Sequence, residues 1–189
     1  MHESRSSESA PSIEIELLPA AASDDATLMQ RITDLTNEVY SVAEEGLWTD
    51  GATRTTVAEV AKLIQSGQIA VARLRGRIVG CVRVQRLDEG TGEFGMLAAD
   101  PDHRGIGVGR ELVRFAERRC RADGLGTMQL KLLVPRDWAH PAKEFLAAWY
   151  ARIGYRVART ATLDEAYPAL VPLLATPCDF VIYHKDLAA

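Results

Sequence analysis

The feature that most constrains this chain is a glycine-rich run between an apolar segment and an amphipathic one. Gly105, Gly107 and Gly109 alternate with other residues, and Arg104 and Arg110 flank them. Glycine lacks a Cβ, so such a loop can adopt positive φ angles and turn several backbone N–H groups toward an anion. The helix that follows adds its unpaired first-turn N–H groups and the positive end of its dipole. The run therefore predicts a phosphate-binding turn at a strand-to-helix junction.

Hydrophobic periodicity divides the rest of the chain into short strands and amphipathic helices. Apolar runs predict strands over residues 13–18, 69–74, 78–84, 93–99, 128–134, 155–160 and 179–185. Apolar residues at steps of three and four predict helices between residues 23 and 45, 56 and 67, 108 and 124, and 141 and 154. A proline-punctuated stretch, 163–177, connects the last two strands. This order predicts an α/β (α+β) single domain, with a central mixed, mostly antiparallel sheet of six to seven strands flanked by about four helices.

Length and the polarity of the N-terminus set the predicted domain boundaries. At 189 residues the chain suits one well-buried domain. Residues 1–11 are polar and serine-rich, so they are predicted to form a flexible tail, and residues 12–189 to form the domain. No apolar run approaches the roughly 18–20 residues that a membrane helix needs, and the tail lacks the apolar stretch of a signal peptide. No membrane partner is therefore predicted.

Charge and cysteine content argue against several function classes. The 22 basic and 26 acidic residues give a net charge of −4, which argues against nucleic acid as the main partner. The three cysteines, at positions 81, 120 and 178, form no C-x-x-C pair, and this usage suits a reducing cytoplasm. No two histidines have the spacing of metal ligands, so no metal is predicted.

Two familiar phosphate-binding motifs do not fit the glycine run. A nucleoside triphosphate loop needs Lys and then Ser or Thr after its last glycine, whereas Gly109 is followed by Arg110 and Glu111. A dinucleotide fold needs G-x-G-x-x-G after the first strand, but here Arg110 takes the third glycine position and the strand is the fourth. The pattern that remains is Arg-x-x-Gly-x-Gly, formed by Arg104, Gly107 and Gly109.

This pattern resembles the loop of the GNAT superfamily of acyl-CoA-dependent N-acetyltransferases. Residues 97–103, Leu-Ala-Ala-Asp-Pro-Asp-His, are similar to the family's strand and turn before the loop. Residues 149–155, Trp-Tyr-Ala-Arg-Ile-Gly-Tyr, are similar to its helix ending in Tyr-x-x-x-Gly and an aromatic residue. The element order matches too, so the resemblance covers about residues 13–187. One position departs from it: Lys143, seven residues before Tyr150, stands where the family often has Asn.

The resemblance implies acetyl-CoA as the co-substrate. Its pyrophosphate would lie on the N–H groups of the glycine loop, and its pantetheine arm would pair with the strand before the loop. A strand splayed from its neighbour would expose the backbone groups that this amide-rich arm needs. An N–H group near Leu97 or Ala98 would polarise the thioester carbonyl as oxyanion charge develops. The residues assigned to cofactor binding are Leu97, Ala98, Ala99, Arg104, Gly105, Ile106, Gly107, Val108, Gly109 and Arg110.

Transfer of an acetyl group to an amine needs a base and an acid. An alkylammonium group such as that of lysine titrates at about 10.4, so it must lose a proton before it attacks at neutral pH. Glu93, eleven residues before Arg104, matches the general base of the histone-acetylating branch of the family, acting directly or through water. Tyr150 matches the tyrosine that serves many members as general acid toward the departing thiolate. The alternatives are a solvated glutamate at a strand end and a core tyrosine.

The resemblance places the acceptor between two connecting segments, residues 44–54 and 163–177. Glu44, Glu45 and Asp50 surround a tryptophan there, which would suit a cationic amine such as a polyamine, an aminoglycoside or a lysine side chain. The alternative is a solvated loop around one buried tryptophan.

Two functions from different classes follow from these residues. The first is transfer of an acetyl group from acetyl-CoA to a primary amine, in a small molecule or a peptide, by direct attack in a ternary complex. The second is a non-catalytic coenzyme A-binding sensor or scaffold, which would need neither Glu93 nor Tyr150. Presence of both side chains favours the enzyme. Oligomeric state is left open, with a homodimer as one alternative.

Overall fold

The computed structural model describes residues 12–188, so the predicted tail over residues 1–11 lies outside the described residues. The strands are β1 Ile13–Leu17, β2 Ile69–Leu74, β3 Arg77–Arg86, β4 Thr91–Ala99, β5 Thr127–Pro135, β6 Arg156–Thr162 and β7 Cys178–Asp186. The helices are α1 Ala26–Ala43, α2 Val57–Gln65, α3 Val108–Ala122, α4 Pro141–Arg152 and the single turn α5 Leu163–Ala166. Short 3-10 turns cover Ala20–Asp24, Pro101–His103 and Pro168–Leu173.

The strands form one seven-stranded sheet in the order β1-β2-β3-β4-β5-β7-β6. Neighbouring strands are antiparallel except for β4 and β5, which run parallel. Helices α1 and α2 pack on one face of the sheet, and α3 and α4 pack on the other. The predicted α/β domain, with a mixed, mostly antiparallel sheet and four longer helices, is therefore confirmed.

The parallel pairing of β4 and β5 is short. It covers three consecutive residue pairs, the last of which joins Glu93 to Gln129. Beyond that pair β4 stays with β3, and β5 stays with β7. Residues 94–99 and 130–135 therefore border an opening in the middle of the sheet, which we call the β4–β5 opening.

A bulge changes the direction of the side chains in β4 beside this opening. Phe94 packs in the core under α3 and α4, whereas Met96 packs with α1 and α2. In a regular strand two residues at this spacing point to the same face. Met96 has a φ of 47°, and the pairing of β4 with β3 shifts register between Cys81 and Arg83. The bulge thus lets one short strand contribute large apolar side chains to both cores.

Helix caps and turns, whose interacting residues are close together in the chain, form as the sequence predicts. The Thr56 hydroxyl accepts from the Glu59 N–H at 3.2 Å, and the Glu59 carboxylate accepts from the Thr56 N–H at 3.0 Å. This reciprocal cap begins α2, as the Thr-x-x-Glu spacing predicts. Arg75 and Gly76 both have positive φ and close the β2–β3 hairpin, as predicted from the sequence.

Several element boundaries differ from the prediction. Strand β3 continues to Arg86 and β4 begins at Thr91, each two residues past the predicted end, because the turn between them is tight. Asp88 Oδ1 accepts from the N–H groups of Gly90 and Thr91 at 2.8 Å each. The proline-punctuated stretch opens with α5, which Thr162 begins with a second reciprocal cap. That Thr-x-x-Glu spacing is visible in the sequence.

Glu117 is the clearest departure from the periodicity of α3. The pattern assigns it to the polar side of the helix, yet it is 5% exposed. Its Oε1 accepts from the Tyr155 hydroxyl at 2.8 Å and from Lys185 Nζ at 2.9 Å. Tyr155 follows α4 and Lys185 lies in β7, so packing by distant segments buries this side chain.

We predict that Gly80→Ala in β3 will destabilise the fold, because α3 packs there without room for a side chain. A Cβ at Gly80 would lie 2.6 Å from Val108 Cγ1 and 2.9 Å from Leu112 Cδ1. Overpacking of this kind costs about 1–3 kcal/mol of unfolding free energy, measurable by urea denaturation. Gly126→Ala is the matched control, since no atom lies within 4 Å of its added Cβ. Equal stability of the two variants would contradict the close packing of α3.

Candidate active site

The glycine loop forms the predicted turn between β4 and α3. Gly105 and Gly107 have φ angles of 82° and 91°, which glycine adopts without strain. Gly107 is the N-cap of α3 and makes no side-chain cap hydrogen bond, and the first helical bond runs from the Glu111 N–H to its carbonyl. The first-turn N–H groups therefore lack a helical acceptor and suit an anion. Gly109 differs from the other two glycines, because it lies inside α3.

Hydrogen bonds to α1 and β3 hold the start of this loop. Arg31 of α1 donates to Asp100 Oδ2 at 3.0 Å and to the Ile78 carbonyl at 3.1 Å. Asp100 Oδ1 in turn accepts from the Asp102 N–H at 3.0 Å. The loop is thus fixed before any ligand arrives, which lowers the entropic cost of binding.

A cavity of about 380 Å³ adjoins the loop and is lined in part by His103, Arg104 and Ile106. His103 Nδ1 is buried there and has no hydrogen-bond partner among the described residues. Its distance from Asp100 Oδ2 is 3.8 Å, beyond hydrogen-bond range. An exposed arginine, an unpartnered buried nitrogen and free helix N–H groups together fit a polar anionic ligand.

The β4–β5 opening exposes backbone groups of β4. One edge of the strand pairs with β3, whereas the edge facing the opening has no strand partner over residues 94–99 in the part of the chain that the structure describes. Leu97, Ala98 and Ala99, the segment expected to bind pantetheine, lie along this stretch. An unpaired strand edge suits an extended ligand that carries its own amides.

Tyr150 lies in α4 within a cluster of aromatic rings. Its ring centre lies 5.0 Å from that of Trp149, 6.1 Å from that of Phe94 and 6.3 Å from that of Tyr183. Among the described residues its hydroxyl makes no hydrogen bond. Burial raises the pKa of Tyr150, and the nearby hydroxyls of Tyr40 and Tyr183 raise it further. The phenol therefore stays protonated at neutral pH and has a proton to donate.

Glu93 is buried in a polar network rather than solvated at a strand end. Its Oε1 accepts from Gln85 Nε2 at 2.9 Å, and its Oε2 accepts from Gln129 Nε2 at 2.7 Å. Lys131 Nζ lies 3.3 Å from Oε2. Burial alone lowers the pKa of Lys131, but the Glu93 charge and contacts with Tyr167 outweigh it, so the net direction is upward.

Glu93 and Tyr150 approach the β4–β5 opening from opposite faces of the sheet. Phe94 packs against Tyr150 on the face of α3 and α4. Adjacent residues in a strand point to opposite faces, so Glu93 points to the face of α1 and α2. It also belongs to the last residue pair before the strands separate. The opening thus connects one candidate proton-transfer group on each face.

The two connecting segments expected to enclose the acceptor meet in the structure. The Thr49 N–H donates to the Leu173 carbonyl at 2.8 Å, and the Ala175 N–H donates to the Leu47 carbonyl at 2.9 Å. Apolar side chains from both segments form a small core against the sheet with Leu133 of β5. Residues 44–54 and 163–177 therefore form one continuous wall.

The region that contains the loop, the separated strands and the two candidate residues matches a known family. The acetyltransferase (GNAT) domain model matches residues 65–157, a region that contains the glycine loop, Glu93 and Tyr150. The chain thus carries a GNAT acetyltransferase domain. The resemblance carried by the Arg-x-x-Gly-x-Gly pattern is therefore confirmed.

Other GNAT proteins resemble this chain in sequence or in fold. An amino-acid acetyltransferase of Pseudomonas fluorescens strain Pf0-1 is 31% identical over 104 residues, which are 54% of this chain and 22% of that protein. The matched region is 22% of the length of each of the two curated relatives, so the chain spans about a fifth of their length.

Solved structures of low identity share the fold. PaiA N-acetyltransferase from Thermoplasma acidophilum, in complex with coenzyme A, aligns with a TM-score of 0.63 at 19% identity over 93% of this chain and 99% of that one. N-acetylglutamate synthase from Neisseria gonorrhoeae, complexed with coenzyme A and N-acetyl-glutamate, aligns with a TM-score of 0.60 at 16% identity over 93% of this chain and 35% of that one.

The departure of this chain from the GNAT pattern at Lys143 corresponds to a buried ion pair. Lys143 Nζ donates to Glu44 Oε1 at 2.9 Å, and Trp48 Nε1 donates to Glu44 Oε2 at 2.6 Å. Both charged side chains are under 10% exposed, at 4% and 8%. Glu44 is therefore neutralised within the fold and is not available to attract a cationic acceptor.

The sequence did not single out the partners that surround Glu93. Gln129 and Lys131 are polar residues at alternate positions of a strand, which is the pattern of one polar face. Gln129 also connects Glu93 to His184, whose Nε2 lies 2.9 Å from Gln129 Oε1. Across residues 12–188 no three His, Cys, Asp or Glu side chains come together as a metal site.

We predict that Glu44→Ala will cost about 3–5 kcal/mol of unfolding free energy, because it leaves the Lys143 charge buried without a partner. The double variant Glu44→Leu with Lys143→Met should recover most of that loss in urea denaturation. Glu111→Ala is a control that breaks the more exposed pair with Arg114, at 2.8 Å, and should cost at most about 1 kcal/mol. A double variant as unstable as Glu44→Ala would contradict the ion-pair explanation.

Proposed function

We propose that this protein is an N-acetyltransferase that moves an acetyl group from acetyl-CoA to a primary amine by direct attack in a ternary complex. The observation that carries the proposal is the β4–β5 opening, because it is bordered by an unpaired backbone edge, by Glu93 and by Phe94, which packs against Tyr150. The amino-acid acetyltransferases similar to this chain are in keeping with a small-molecule amine as acceptor.

The donor would bind on the side of the glycine loop. Its pyrophosphate would accept hydrogen bonds from the N–H groups of residues 104–110, where the first turn of α3 has no capping side chain. Its pantetheine arm would pair with the free edge of β4 at Leu97, Ala98 and Ala99. Arg104 and Arg110 supply fixed positive charge next to the diphosphate.

The reaction needs two proton transfers. Glu93 would take the proton that the ammonium group must lose, directly or through water, and the neutral nitrogen would then attack the thioester carbonyl. A backbone N–H near Leu97 or Ala98 would stabilise the oxyanion of the tetrahedral intermediate. As the carbon–sulfur bond breaks, Tyr150 would give its proton to the coenzyme A thiolate.

A reducing cytoplasm is the proposed location, since Cys81, Cys120 and Cys178 are all free and buried. Burial raises the pKa of Cys81 to about 11, so this thiol is poorly suited to an acyl-enzyme route. Within residues 12–188 no helix is long and apolar enough to cross a membrane.

We predict that Glu93→Gln and Tyr150→Phe will each lower turnover by about 10²–10⁴-fold, the range for loss of a general acid or base. The measurement is thiol release from acetyl-CoA with a pool of amines. Because the pKa of Tyr150 is raised above its ordinary value of 10.0, the wild-type rate should not fall on the alkaline side below that pH. Unchanged rates in both variants would refute these roles, and coenzyme A binding without turnover would favour a sensor.

We predict that coenzyme A will stabilise the protein against heat, by about 2.7 kcal/mol at 100 times its dissociation constant. Arg104→Ala and Gly107→Glu should abolish this gain, because they remove charge or fill the loop. Arg118→Ala, an exposed arginine further along α3, is the matched control and should keep it. A gain that survives in all three variants would rule out the glycine loop as the diphosphate site.

A further inference from the structure

The wall and the sheet face that it covers, which we call the acceptor side, carry two buried carboxylates that are each paired with a lysine. Glu44 is paired with Lys143 at 2.9 Å, and Glu93 is paired with Lys131 at 3.3 Å. Each of these carboxylates also accepts hydrogen bonds from neutral donors. The net charge that an acceptor meets here is therefore decided by other residues.

Arg54 brings a positive charge to this side that no carboxylate neutralises. It is exposed, and no Asp or Glu oxygen lies within 4.0 Å of its guanidinium in the described part of the chain. Its guanidinium carbon lies 5.0 Å from the centre of the Tyr40 ring, within the range of a cation–π contact. A guanidinium fixed against a ring still presents N–H donors in the fork geometry that matches a carboxylate.

The backbone next to Arg54 is fixed to α1. Asn37 Nδ2 donates to the Thr55 carbonyl at 3.0 Å, and the Thr55 N–H donates to Asn37 Oδ1 at 3.0 Å. Thr56 then begins α2 with its reciprocal cap. The side chain of Arg54 therefore extends from a rigid segment of backbone, so ordering this side chain around a ligand costs little entropy.

Arg54 lies against Tyr40 near the end of α1, and an ion pair joins that end to α4, the helix that carries Tyr150. The ion pair of Glu44 with Lys143 joins the same two helices, one turn after Tyr40 on α1 and two turns before Tyr150 on α4. A small acceptor with its amine at the β4–β5 opening could therefore reach Arg54.

A second arginine adds to the positive potential of the acceptor side. Arg83 in β3 donates to Gln68 Oε1 and Gln85 Oε1, both at 2.7 Å, and these oxygens carry no charge. Gln85 in turn donates to Glu93, which places Arg83 on the same face of the sheet. The acceptor side thus combines two neutral ion pairs with two guanidinium groups that pair with no carboxylate within residues 12–188, and Glu45 and Asp50 are exposed in the wall.

We propose that the acceptor is a small amino acid and that Arg54 binds its carboxylate, so that the residue determines specificity without taking part in the chemistry. This deepens the proposed function and rests on it. It differs from the expectation of a cationic acceptor drawn to Glu44, Glu45 and Asp50, since the first of these carboxylates is paired with Lys143.

The test compares free amino acids with their α-carboxamides, which lack the carboxylate charge, and each rate is referred to the concentration of the neutral amine because the amide is the weaker base. Glycine, L-leucine, L-aspartate and L-glutamate are the probes, each with its amide, and kcat/KM is measured by thiol release from acetyl-CoA. We expect at least one acid to exceed its amide by about 10- to 100-fold, the range of a hydrogen-bonded charge pair. Amides accepted as well as the acids would overturn the proposal.

Variants of Arg54 test the residue itself. Arg54→Gln should lower kcat/KM for the acid to about that of the amide, mainly through KM, and leave the amide unchanged. Arg54→Lys should keep part of the preference, since it retains the charge but loses the planar fork. Arg118→Gln, an exposed arginine on α3, is the control and should change neither substrate. An equal loss for acid and amide in Arg54→Gln would contradict a carboxylate contact.

A binding measurement separates this proposal from the proposed function. The same acids and amides are titrated by calorimetry into the protein with coenzyme A present. Binding of an acid that Arg54→Gln abolishes, without thiol release from acetyl-CoA, would support the carboxylate site and refute the catalytic function. Turnover of amines without any acid preference would keep the function and refute the carboxylate site.

Discussion

The separation of β4 from β5 after Glu93 is the constraint on which the rest of this structure depends. Backbone N–H and C=O groups in the middle of a sheet are expensive to leave unpaired, so a fold that opens its sheet there must satisfy them with water or a ligand. The bulge at Met96 keeps both helical layers packed although the strands diverge. In the proposed function, the donor, the acceptor and the proton-transfer groups would all lie around the β4–β5 opening.

The residues that pack α3 on the sheet also fix the geometry of the glycine loop. Val108 and Leu112 pack directly on Gly80 of β3, so the first turn of α3 lies at a fixed height above the sheet. Arg31 fixes the other end of the loop through Asp100. Orientation of the first-turn N–H groups is therefore a consequence of core packing rather than of the loop alone.

On the acceptor side, tertiary contacts decide which charged side chains remain available to a ligand. Read along the chain, Glu44 looks like an attractor for a cation and Glu93 like a general base, but each has a lysine partner. Buried carboxylates need such partners because desolvation is expensive. What remains for a ligand is the set of charges that the fold did not neutralise, and here these include Arg54 and Arg83.

The sequence by itself determined the features that depend on neighbours in the chain: element periodicity, the reciprocal cap at Thr56, and the loop where Gly105 and Gly107 need positive φ. Tertiary structure alone decided the burial of Glu117 and the pairing of Glu44 with Lys143, 99 positions away. Periodicity states which face of an element a residue occupies, but not which distant segment covers that face. Helix caps and turns close over a few residues, whereas the surroundings of Glu93 come from three other strands that only folding brings together.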